Sequence, residues 1–84
     1  MKTKEMDEIA ENTPDVEMLR MDGYDDCCMG VVERFGSQPI FCYSHKKIIA
    51  KMVKGGMTQE DAQEFFEFNQ FGAWVGEGTP CFLF

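Results

Sequence analysis

The sequence predicts an α+β fold, a three-stranded antiparallel or mixed sheet with packed helices in the order α-β-β-α-α-β. Three observations carry this reading. Two runs rich in β-branched and aromatic residues, 27–35 and 40–43, flank Gly36-Ser37. Two later segments place apolar residues at helical spacing, one rich in lysine and one in glutamate. The chain then reaches a Gly-rich stretch and the apolar run Cys81-Phe82-Leu83-Phe84.

Beyond Met1, residues 1–12 hold only Met6, Ile9 and Ala10 as apolar groups, which reads as a mobile acidic tail or a frayed helix. Thr13-Pro14-Asp15 has the chemistry of a helix start, and Gly23 that of a helix end, so a helix is expected at 14–22. Cys27 to Phe35 reads as a strand. Gly36-Ser37 supplies a two-residue hairpin turn, and Ile40-Phe41-Cys42-Tyr43 returns antiparallel. Pro39 has no N–H to donate and belongs at the start of that strand or on an edge.

Ser44 is placed to cap a helix in which Ile48, Ile49, Met52 and Val53 share the apolar face, and Gly55-Gly56 ends it. Thr58 with Asp61 opens a second helix, expected at 59–70. Ala62, Phe65, Phe66 and Asn69 form one stripe of it, and Glu60, Glu64 and Glu67 the opposite one. The final run is apolar on both faces and reads as a central strand. Residues 13–84 therefore form a single domain.

Length and composition bound the possibilities. The chain has 84 residues, 44% of them apolar, with eight Phe and seven Met. A domain this small buries roughly 60–65% of its unfolded surface and has little stability to spare. The apolar runs are far short of the about 20 residues needed to cross a bilayer. Charged residues occupy the first positions, where a secretory leader would be apolar, so a cytoplasmic setting is expected.

Net charge is −7 and unevenly spread. Residues 1–26 carry −6, residues 27–57 carry +4 and residues 58–84 carry −5. That balance argues against direct nucleic-acid binding and favours solubility, a basic protein partner, or both. The stripe Glu60, Glu64 and Glu67 repeats at about 6 Å along a helix. Adjacent DNA phosphates have similar spacing, so such a face fits a groove built for nucleic acid. A solvated helix face is the ordinary alternative.

Four cysteines in a cytoplasmic protein read first as free thiols buried like small hydrophobes. The sharper reading is structural zinc. Cys42 and His45 have a C-x-x-H spacing, and Cys81 with Cys27 or Cys28 would complete a three-Cys, one-His set. Other chemistry is thinner. A Cys42–His45 or Cys81–His45 nucleophilic pair lacks a third, orienting group. Asp25-Asp26 and Glu77 are carboxylates in turn contexts. The stretch Gly72 to Pro80 lacks the Lys-Ser/Thr of a phosphate loop, and its glycines suit tight turns around Trp74.

From Tyr24 to Phe84 the chain resembles a family of small, uncharacterised single-domain proteins encoded by bacteriophages, prophages and some bacteria. The resemblance is carried by Tyr24-Asp25-Asp26, by Val31-Val32-Glu33-Arg34-Phe35-Gly36, and by Phe66-Glu67-Phe68-Asn69 with Gly72-Ala73-Trp74-Val75-Gly76-Glu77-Gly78-Thr79-Pro80. It covers about three quarters of the chain and implies a fold and a mobile-element origin, but no activity. The cysteines depart from the aliphatic residues that the resemblance implies at their positions.

The expected function is that of a non-enzymatic interaction protein without a cofactor, a phage-type accessory or inhibitor binding a larger host protein. Blocking a nucleic-acid-guided nuclease is its concrete, anti-defence form. The candidate partner-binding residues are Glu60, Glu64, Glu67, Trp74 and Glu77. Two alternatives remain: a zinc-stabilised binding domain using Cys27, Cys42, His45 and Cys81, and a small enzyme with a carboxylate or thiol site near the Gly-rich loop.

Overall fold

Alternating burial along residues 40–44 organises the molecule. In this computed structural model, which describes residues 1–71 and 75–84 and all their side chains except those of Gln70 and Phe71, Phe41 and Tyr43 point into the core. Ile40, Cys42 and Ser44 point to the other face of the sheet. This strand, β2 (Ile40–Ser44), lies between β1 (Cys28–Val32) and β3 (Cys81–Leu83). It runs antiparallel to β1 and parallel to β3, so the sheet is mixed. The fold is the expected small α+β fold, in the order α-β-β-α-α-β.

The first helix lies earlier than the capping signals suggest. It is α1 (Thr3–Glu11), and residues 14–22 are not helical. The Thr13 hydroxyl donates to the Ile9 carbonyl at 2.8 Å, helping to satisfy the end of α1 instead of starting a helix of its own. Residues 17–19 spend their backbone groups on other segments. Leu19 N–H donates to the Gly78 carbonyl at 3.1 Å, and the Gln38 side chain donates to the Glu17 carbonyl at 2.9 Å. Met18 and Met21 enter the core from this non-helical stretch, a role suited to an unbranched side chain.

Thr3–Glu11 is therefore a helix packed on the core. Met6 is fully buried, and Ile9 packs partly against the core. Arg20 clamps α1 from outside, meeting Asp7 at 2.6 Å and Asp25 at 3.2 Å, while Thr3 donates to Asp25 at 2.7 Å.

The hairpin differs in its loop. Strand β1 is shorter than residues 27–35, and Cys27 belongs to a 3-10 turn at Asp25–Cys27. The ladder ends at Val32↔Ile40, which leaves residues 33–39 as a loop. Pro39 cannot extend the ladder, and Phe35 projects wholly into solvent, so nothing holds the longer pairing together. A bulge between Cys28 and Gly30 shifts the register of β1.

The two later helices follow their caps. Ser44 Oγ accepts from Lys47 N at 3.1 Å to open α2 (His45–Lys54). Thr58 Oγ1 accepts from Asp61 N at 3.1 Å to open α3 (Gln59–Phe66). Ile48, Ile49 and Met52 bury one face of α2, while Val53 is half-exposed. On α3 only Ala62 and Phe66 are buried, so the inner stripe is narrower than expected. Phe65 and Asn69 are exposed. The helix also stops earlier, passing into a π-helical turn at Glu67–Phe71.

Strand β3 is an edge strand, not a central one. Phe82 faces inward, tilted against Tyr43 at 6.4 Å between ring centroids and edge-on to Phe66 at 5.0 Å. Leu83 and Phe84 are more than half exposed. Their apolar character therefore does not report cover on both faces. The core is Phe41, Tyr43, Ile48, Phe66 and Met6 with their neighbours, each large side chain stabilising the fold by about 2–3 kcal/mol through burial. The Tyr43 hydroxyl accepts from Met21 N at 2.9 Å, and burial pushes its pKa up to about 12.

Candidate functional site

The outer face of α3 gathers acid and aromatic side chains. The Thr58 cap fixes the helix start, and Glu60 and Asp61 sit in the first turn, where the helix dipole favours negative charge. Glu60, Glu64 and Glu67 are all exposed. Asp61 and Glu64, with Met57, Phe65, Phe68 and Asn69, line a shallow groove of about 380 Å³. Phe65 is 41% exposed and Phe68 84%. Two aromatic rings thus stand beside the carboxylates without cover.

Glu67 is held in place from behind. Gln63 Nε2 donates to Glu67 Oε1 at 3.2 Å, and Gln63 Oε1 accepts from His45 Nε2 at 2.9 Å. The His45 ring is itself wedged between Phe66, edge-on at 4.8 Å, and Phe84, stacked at 4.3 Å. His45, the first residue of α2, and Phe84 therefore help to orient an acid that follows α3 directly. Among the described residues, the ion pairs join Arg20 to Asp7 and Asp25, and Lys51 to Asp26. None involves an acid of α3. Its carboxylates are solvated and uncompensated.

The other candidate residues are elsewhere. Glu77 lines a separate cavity of about 290 Å³ between the 33–39 loop and the 75–80 segment, together with Arg34, Ser37, Gln38, Thr79 and Cys81. Trp74 lies outside the described residues. Asp25 and Asp26 serve the turn before β1. Asp26 takes Lys51 at 2.8 Å, and that hydrogen bond holds its carboxyl below the usual carboxylate range.

The four proposed metal ligands separate into three places. Cys27 is buried beside Asp26, with Sγ 3.8 Å from its carboxylate. Burial pushes its thiol pKa up, and the Asp26 charge adds to this. His45 is engaged by Gln63 and two rings. Cys42 and Cys81 do meet, as register partners across β2 and β3. Burial, and then the adjacent Cys81 thiol, pushes Cys42 up to about 11. Among the described residues no three His, Cys, Asp or Glu side chains form a group suited to a metal ion. In the same residues no helix is long and apolar enough to cross a membrane.

Sequence reasoning missed Phe65, Phe68 and Gln63. The signal for the two rings was their three-residue spacing directly beside the acidic stripe. Phe65 instead reads as core when α3 is continued as a regular helix to residue 70. No protein-family model, no curated protein and no solved structure matches the chain.

Proposed function

We propose that this chain is a binding protein that uses the acidic, aromatic-flanked face of α3 to dock on a basic surface of a larger protein. The carrying observation is the coincidence of uncompensated Glu60, Asp61, Glu64 and Glu67 with the uncovered rings of Phe65 and Phe68. Carboxylates steer a basic partner and set its orientation. Exposed aromatics beside them supply the apolar anchors that dominate interface energies. A nucleic-acid-handling protein, whose substrate groove is basic, is the partner class that fits best, and a phage-type inhibitor is the corresponding biological role.

Affinity capture from host lysate tests this reading when three baits are compared: wild type, E60K/E64K/E67K, and F65A/F68A. Partners specific to wild type, eluting as salt rises toward ~0.5 M, support it, because exposed charges are screened within a few Å at that ionic strength. A partner retained equally by all three folded baits contradicts it.

A further inference from the structure

We propose that Cys42 and Cys81 are a redox modification site, oxidised to an intrachain disulfide that staples the C-terminal strand to the centre of the sheet. The geometry comes from the ladder. Cys42 and Cys81 are direct register partners in the parallel pairing of β2 with β3, so their side chains leave the same face of the sheet. Adjacent strands lie about 4.8 Å apart, inside the window of about 4.4–6.8 Å that disulfide-linked Cα atoms occupy. Both thiols are free and only half-buried. Cys81 also lines the cavity of about 290 Å³ beside the 33–39 loop, which gives a small reagent a route to it. Cys27 and Cys28 differ in this respect, being almost wholly buried.

A low-molecular-weight disulfide such as oxidised glutathione is the oxidant. One cysteine loses its proton and attacks a glutathione sulfur, forming a mixed disulfide and releasing one glutathione thiol. The second cysteine, deprotonated in turn, displaces the other glutathione. Two S–H bonds are lost, one S–S bond forms, and one oxidised glutathione becomes two reduced molecules. The bridge closes a loop of about 40 residues in the unfolded chain and ties down an edge strand held by only three register pairs. This inference is independent of the partner reading.

The test uses the full chain incubated for hours with oxidised glutathione, followed by intact mass, peptide mapping and thermal melting. The expected product is lighter than the reduced chain by two hydrogens and links Cys42 to Cys81. Cys27 and Cys28 are recovered as free thiols after unfolding. Its melting temperature rises by about 10 °C, and a phosphine reductant reverses the rise. C42S and C81S each abolish the bridge, while C27A retains it. Stable glutathione adducts without the lighter product, a bridge through Cys27 or Cys28, or a bridged chain that melts no higher than the reduced one would each overturn the proposal. The wild-type comparison with and without reductant decides the matter even if a variant fails to fold.

Discussion

Single atoms decide several features of this molecule. Gly78 is buried where the 75–80 segment crosses residues 17–19, and a Cβ built on it would meet the Glu17 carbonyl oxygen at 2.1 Å. Backbone meets backbone there, so neither side can yield cheaply. Gly78→Ala is expected to cost about 2–4 kcal/mol in urea unfolding, at the upper end for a single methyl. Lys51 is a second such point. Its ammonium donates to the Gly23 carbonyl at 2.5 Å and to Asp26 at 2.8 Å, and it lies 5.2 Å from the centre of the Tyr24 ring. The Asp26 pKa is lowered by folding, so this pair stabilises the fold above the unfolded carboxylate value of about 3.9 and loses that contribution as pH falls through the lower folded value. Both side chains are well exposed, which limits the effect. Lys51→Met should cost about 1 kcal/mol or less near neutral pH. Denaturation at pH 7 and pH 2 should show the gap between variant and wild type shrinking at the lower pH.

At the scale of elements, the clearest departure from the sequence reading is α1. Its docking rests on Met6, fully buried, and on the Arg20 clamp. Met6→Ala should therefore cost about 2–4 kcal/mol, the penalty of a core cavity, rather than the near-zero cost expected in a mobile tail. Hydrogen exchange should show protection of α1 amides in the wild type. The helices α2 and α3 were legible because each begins at a capping hydroxyl, Ser44 and Thr58, with an apolar stripe behind it. The same logic failed at Thr13-Pro14-Asp15. There the hydroxyl serves the preceding helix, and the following backbone is bonded to Gly78 and Gln38, partners far away in sequence. A parallel pairing has no local signature either. That is why the edge position of β3 emerges only in three dimensions, although the sequence already placed Cys42 and Cys81 on neighbouring strands. The acidic stripe was visible as charge periodicity, whereas the aromatic flank needed knowledge that α3 buries only Ala62 and Phe66.

At the scale of the whole molecule, Asp61 and Glu64 share an exposed groove with the rings of Phe65 and Phe68, away from the buried core on which stability depends. The outward position of Glu60, Glu64 and Glu67 means that reversing their charge should leave a cooperative fold that melts within about 10 °C of wild type, since each exposed substitution usually changes stability by at most about 0.5 kcal/mol. Binding and folding are thereby separable. The most direct measurement is a titration of the purified captured partner with wild type and with E60K/E64K/E67K at low salt. A folded triple variant that binds about 10–100-fold more weakly, with the difference narrowing as salt is raised, is the predicted result. Equal affinities for the two folded proteins at low salt would contradict the acidic face of α3 as the docking surface.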